Sequence, residues 1–144
     1  MNKTAIVVGS GFGGIAASLR LKSLGYNVSL LEKLDQLGGR ARVFKRKGYT
    51  FDAGPTVITA PFLFDELFSL FNKRREDYVK FVRLDPMYNF FFSSNNKSFN
   101  YYDKVRDSLK EIEKFEPKDV NGYKKLLNMS EKIYHVGFDK LSFT

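Results

Sequence analysis

The chain opens on an apolar, mostly β-branched run, Thr4-Ala5-Ile6-Val7-Val8, with no polar position alternating inside it. Such a run predicts a strand buried on both faces, as in parallel sheets. Glycines then crowd positions 9–14. From Ile15 to Leu24 the apolar residues return at helical spacing, with Ile15 and Leu19 on one stripe and Ala17, Leu21 and Leu24 beside it. Gly25 stands where a helix favours its terminating glycine. Val28-Ser29-Leu30-Leu31 reads as a second apolar strand, closed by Glu32. Strand, glycine turn, helix and strand within about 30 residues make a βαβ unit.

Beyond a loop over 33–40 the pattern changes. Ala41 to Lys45 and Tyr49 to Asp52 read as two strands around a Lys47-Gly48 turn. Ala53-Gly54-Pro55-Thr56 breaks the pattern, and Pro61 opens a helix running to about Asn72. Its stripe of Phe64, Leu67, Phe68 and Phe71 favours core packing. Met87 to Phe92 and Lys97 to Tyr101 predict a hairpin across Ser93-Ser94-Asn95-Asn96. Tyr88, Phe90 and Phe92 lie on one face of it, matched by Phe99 and Tyr101 on the partner strand. Val105 to Phe115 is an amphipathic helix carrying Val105, Leu109 and Ile112, and Pro117 opens a last helix reaching about His135. The expected fold class is α/β, a Rossmann-like βαβ unit followed by an α+β region.

Composition narrows the function classes. The absence of cysteine excludes disulfides, thiolate metal sites and cysteine nucleophiles, and fits a cytoplasmic location. The formal charge of +8 invites a nucleic-acid reading, but the cations are interspersed with acids, as in Lys73-Arg74-Arg75-Glu76-Asp77. That pattern is a solvated surface, and no nucleic-acid-binding module accompanies it. Peripheral contact with an anionic membrane face stays open. No apolar run reaches the 18 residues a spanning helix needs, and no signal-peptide pattern precedes Gly9.

The chemistry concentrates at Gly9-Ser10-Gly11-Phe12-Gly13-Gly14, which satisfies G-x-G-x-x-G between a strand and a helix. Gly9 permits the tight turn, Gly11 lets backbone approach a pyrophosphate, and Gly14 lets the helix pack closely on the sheet. The helix start offers free N–H groups and a partial positive charge to phosphate. Glu32 follows Gly9 by 23 residues, near the usual spacing of about 20. A carboxylate there accepts hydrogen bonds from ribose hydroxyls and repels a 2′-phosphate, which argues against NADP. These features alone do not separate FAD from NAD.

Six residues past Glu32 stands Gly38-Gly39-Arg40. The doublet and arginine resemble the extended motif of flavoproteins in the amine oxidase and desaturase superfamily, where these residues close over the flavin pyrophosphate. Arg40 suits charge-assisted contacts to phosphate oxygens. Tyr49-Thr50-Phe51-Asp52-Ala53-Gly54-Pro55-Thr56-Val57-Ile58-Thr59 narrows the resemblance to bacterial-type phytoene desaturases. Asp85-Pro86-Met87-Tyr88, Ser98-Phe99-Asn100-Tyr101 and Phe115-Glu116-Pro117-Lys118-Asp119-Val120-Asn121-Gly122-Tyr123 continue it along nearly the whole chain.

That resemblance implies FAD as cofactor, with Lys33, Gly54, Pro55 and Thr56 joining the glycine turn, Glu32 and Gly38-Gly39-Arg40 at its site. It implies desaturation of a polyisoprenoid such as phytoene: a hydride passes from an allylic carbon to the flavin, a proton leaves the neighbouring carbon, and oxygen or a membrane quinone reoxidises the flavin. Phe62, Phe64, Phe68, Phe71, Phe90, Phe91 and Phe92 are candidates for an apolar substrate wall, with core packing as the competing use. Asp52 is a weak candidate for proton removal, a backbone cap being the better expectation. His135, the sole histidine, is assigned no role. The family's chains run several times longer and complete the FAD domain with a later glycine-rich segment. Residues 1–84 are therefore expected to hold the first part of that domain and 85–144 the start of a substrate domain. On this expectation the 144 residues alone bind FAD weakly and lack desaturase activity. Competing readings are a carotenoid isomerase, a flavin amine oxidase, or a non-catalytic dinucleotide-binding module.

Overall fold

The computed structural model describes residues 3–54 and 57–140. The chain forms two compact units, Met1–Phe81 and Val82–Thr144.

In the first unit β1 (Thr4–Val8), α1 (Phe12–Ser23) and β2 (Asn27–Leu31) form the βαβ unit, and the two strands pair in parallel from Thr4 opposite Asn27 to Val8 opposite Leu31. Gly25, at φ 85°, turns the chain after α1, and its N–H donates to the Lys22 carbonyl. Ala5, Val7, Val28 and Leu30 point to one side of this sheet and are half-buried. The other side is bare: Ile6 is 70% exposed, Val8 82% and Leu31 52%. The expectation of strands buried on both faces is thereby corrected. A continuous apolar run reports that both faces suit burial, whereas burial itself depends on what lies across them.

A short 3-10 turn, Gly39–Ala41, leads into β3 (Val43–Arg46), so the strand starts two residues later than the sequence predicts. β4 (Tyr49–Asp52) returns antiparallel through Lys47 and Gly48, both at positive φ as a two-residue hairpin turn demands. α2 (Pro61–Ser69) carries Pro61 in its first turn and ends three residues early, since Asn72 takes φ 54°. Both carboxylate oxygens of Glu66 accept from the Arg20 guanidinium at 2.8 Å, tying α2 to α1. Phe64 stands edge-on to both Phe12 and Phe81, at 5.9 and 5.5 Å between centroids. After α2 a 3-10 turn, Arg75–Asp77, presents Arg75 inward. That guanidinium donates to Asp65 at 2.6 Å, to the Val79 carbonyl at 2.8 Å and to Glu76 at 3.1 Å, and it lies over the Phe81 ring.

The second unit is built on the hairpin of β5 (Tyr88–Phe92) and β6 (Lys97–Tyr101). Tyr88 pairs with Tyr101 and Phe90 with Phe99, the aromatic face that alternation predicts. α3 (Val105–Phe115) spans the predicted residues and covers β6. Phe115 packs on Phe92 and Phe99. Ser108, fully buried, accepts from the Tyr102 N–H and donates to the Tyr102 carbonyl, both at 2.9 Å, so a side chain completes the end of the strand. α4 (Asp119–Tyr134) continues through a π-helical turn, His135–Lys140. The Tyr123 hydroxyl donates to that of Tyr101 at 3.1 Å, and burial pushes the Tyr123 phenol well above its ordinary value.

No apolar side chain among the described residues is fully buried. The stripe expected to be core is half-buried at Phe64, Leu67 and Phe68, while Phe71 is exposed.

Candidate functional site

The site lies at the C-terminal ends of β1 and β2, where the chain turns twice. Gly9, at φ 97°, leaves β1, and its N–H donates to the Leu31 carbonyl at 2.7 Å, tying the turn to the end of β2. Gly11 caps α1 in extended backbone. The first bond of the helix runs from the Ile15 N–H to the Gly11 carbonyl at 3.0 Å. The N–H groups of Phe12, Gly13 and Gly14 precede that bond, and no side chain caps them. They form the positive end of a twelve-residue helix, suited to an anion.

The glycines divide the labour. A Cβ on Gly14 would lie 1.9 Å from the Gly9 carbonyl oxygen, so Gly14 is required for the helix to sit against the turn. A Cβ on Gly11 or Gly13 would meet nothing within 4 Å. The space over those two is open for a ligand to approach the backbone.

Ser10 is fully buried between the turn and β2. Its N–H and hydroxyl both donate to one Glu32 carboxylate oxygen, at 2.8 and 2.6 Å, and the Leu34 N–H donates to the other at 3.0 Å. The Ser10 hydroxyl is the main cause that brings the Glu32 carboxyl down to about 2, followed by the two backbone N–H groups. Glu32 is thus held ionised and oriented at the end of β2.

The second turn closes on the first. Gly38 and Gly39 take φ 107° and 58°, and the Gly38 N–H donates to the Ser10 carbonyl at 2.9 Å. A Cβ on Gly39 would lie 3.0 Å from Gly11 Cα, so the doublet passes directly against the glycine turn. Gly54 backs the same loop: its Cβ would fall 2.2 Å from the Arg40 carbonyl oxygen.

Between the two turns lies a cavity of about 870 Å³. Of the residues named from sequence, Gly11, Phe12, Gly13, Gly38, Gly39, Arg40 and Gly54 line it. Gly9, Ser10, Gly14 and Glu32 stand behind it as its frame. Lys33 is exposed and outside the lining, and Pro55 and Thr56 lie outside the described residues. Asp52 sits in β4 opposite Val43, exposed and also outside the lining. Among the described residues no N–H donates to it. Leu34, Ala41, Arg42, Phe44 and Ala53 complete the wall. The sequence reading missed these five; Arg42 and Phe44 were detectable as alternate positions of one strand beside Arg40.

A second cavity, of about 520 Å³, lies in the second unit. Four cations and four acids line it, three of each in pairs (Arg83 with Asp103, Lys110 with Asp107, Lys114 with Glu111), so the lining carries no net charge.

Fold and site together define a Rossmann-like dinucleotide-binding domain, and the model of the NAD(P)-binding Rossmann-like domain family matches residues 7–74. Within that class the chain is similar along nearly its whole length to phytoene desaturases. It is 42% identical over 139 residues to phytoene desaturase (lycopene-forming) of Pantoea ananas, covering 96% of this chain and 28% of that protein. The enzyme of the same name from Pseudescherichia vulneris is 40% identical over the same shares. The 4,4'-diaponeurosporene oxygenase of Staphylococcus haemolyticus is 32% identical over 97% of this chain and 29% of that protein. The chain therefore spans somewhat over a quarter of the length of the curated relatives it matches. Among solved structures, reduced UDP-galactopyranose mutase matches 40% of this chain and 13% of that one, at 40% identity and a TM-score of 0.35.

Proposed function

We propose that this chain forms the ADP-binding side of the FAD site in a carotenoid-precursor desaturase. One observation carries the reading: the start of α1 and Gly38-Gly39-Arg40 face one cavity, with the ionised Glu32 framing it. The cavity volume of about 870 Å³ falls in the range of cofactor pockets.

In this reading the N–H groups of Phe12 and Gly13 and the Arg40 guanidinium hold the pyrophosphate. Glu32 accepts from a ribose hydroxyl with the lone pair that Ser10 and Leu34 leave free, and its charge disfavours a 2′-phosphate. The exposed Phe12 offers an apolar surface beside the phosphates. FAD supplies the hydride acceptor, and the chain's own residues bind and orient it. The substrate is an acyclic polyisoprenoid such as phytoene. Relatives called desaturases match at higher identity than those called oxygenases, which favours desaturation. No described helix is long and apolar enough to cross a membrane. Peripheral contact with an anionic bilayer face is the part of the proposal that would let a hydrocarbon reach the protein.

The test is production of the whole protein in a host that accumulates phytoene, followed by its visible spectrum. Polyene absorption bands together with bound FAD are expected. A colourless extract with FAD bound excludes phytoene and leaves the flavin site standing. A folded protein that retains no FAD overturns the flavin site as well.

A further inference from the structure

We propose that Arg42, stacked on Phe44, is a second phosphate-binding cation of this cavity and selects a diphosphate over a single phosphate. The inference rests on the dinucleotide reading above and adds a residue and a ligand class to it.

Arg42 follows the Gly39–Ala41 turn in extended backbone, at φ −69° and ψ 164°. In such backbone residues two apart share a face, so Arg42 and Phe44 point the same way. The Arg42 guanidinium carbon lies 4.6 Å from the Phe44 ring centroid, and both side chains line the cavity. The main chain of Arg42 is fixed on two sides: its N–H donates to the Gly39 carbonyl at 3.4 Å, and its carbonyl accepts from the Ala53 N–H at 3.1 Å. A guanidinium that stacks by its face keeps the N–H donors on its edge available, and those donors match phosphate oxygens two at a time.

The charge balance points the same way. Among the described lining residues there are two guanidiniums, Arg40 and Arg42, and no carboxylate. Arg20, Arg75 and Arg83 are each paired with an acid, and among the described residues neither Arg40 nor Arg42 is. Two uncompensated cations beside a helix N-terminus suit a ligand with at least two negative charges. Arg42 is half-buried whereas Arg40 is exposed, so salt screens Arg42 less. The lone arginine of the Gly-Gly-Arg motif does not supply this second charge.

The experiment is calorimetric titration of the 144-residue chain with ADP, AMP and FAD at low and moderate salt, with circular dichroism as the folding control. Wild type is expected to prefer ADP to AMP. R42Q is expected to weaken ADP and FAD about tenfold, keep AMP within about twofold, and flatten the salt dependence of ADP binding. R42K restores part of the loss because the charge returns without the planar fork. A folded R42Q with the wild-type ADP-to-AMP ratio overturns the inference and leaves the dinucleotide site intact. If R42Q unfolds, F44L carries the test: it keeps the cation and removes the ring, and unchanged ADP affinity there overturns the stacked clamp. A folded wild-type chain that binds neither ADP nor FAD overturns both readings.

Discussion

Replacing Glu32 by glutamine keeps its shape and removes its charge, which isolates what the charge does. Its folded value of about 2 lies below the ordinary 4.5, so folding is favoured by the ionised form. That stabilisation is fully present above pH 4.5 and disappears as the pH falls through 2. Thermal midpoints of wild type and E32Q are therefore expected to differ near neutrality and to converge as the pH falls from 4.5 toward 2. A gap that stays constant over this range assigns the effect to shape. The glycines give a second contrast at this scale. G14A places a Cβ against the Gly9 carbonyl and is expected to cost about 1–3 kcal/mol in denaturant unfolding. G11A meets no such obstacle and is expected to cost no more than about 1 kcal/mol, as an altered helix cap. ADP binding is nonetheless expected to fall more in G11A than its stability does, because its methyl projects into the open space over the turn.

At the scale of elements, Arg75 joins α2 to the segment that follows it. Its side chain is 10% exposed, and Asp65, Glu76 and the Val79 carbonyl together satisfy it. R75M keeps most of the bulk over Phe81 and loses every hydrogen bond. A loss of about 2 kcal/mol is expected in chemical denaturation followed by circular dichroism, discounted because Asp65 and Glu76 are themselves wet. This turn was absent from the sequence reading, since a three-residue 3-10 turn has no periodicity to detect. The longer elements were legible for the opposite reason. β1 is specified by its continuous β-branched run, the β5–β6 hairpin by its alternation and α3 by its helical stripe. The cavity was legible only where a motif marks it. Gly11, Gly13, Gly38, Gly39 and Arg40 carry a backbone requirement or a charge that can be read locally. Arg42 and Phe44 enter the wall because the chain passes against Gly11 at Gly39 and then continues along the same cavity.

For the molecule as a whole, the dominant physical fact is apolar surface facing water. Ile6, Val8 and Leu31 share the bare side of the β1–β2 pair, and the described part of that sheet has two strands with open edges. Unpaired edges and apolar faces promote association. The isolated chain is expected to bind a hydrophobic dye and to grow in apparent mass with concentration in light scattering. A double variant, I6T with V8T, should reduce both effects while preserving the circular dichroism spectrum, because threonine keeps the β-branched shape. A concentration-independent monomer without dye binding would show that this face is already covered. The same exposure underlies the expectation that the 144 residues alone hold FAD loosely, which ultrafiltration of a yellow FAD mixture checks.

The Ser10–Glu32 pair also bears on how the site can change over generations. A shift toward a 2′-phosphorylated dinucleotide begins, on charge grounds, with the loss of Glu32. In this chain that loss also strands two donors of a residue with no solvent exposure, so selectivity and foldability are altered by one substitution. Changes at positions 10 and 32 are then strongly non-additive, and a neutral route to the new preference passes through Ser10 first.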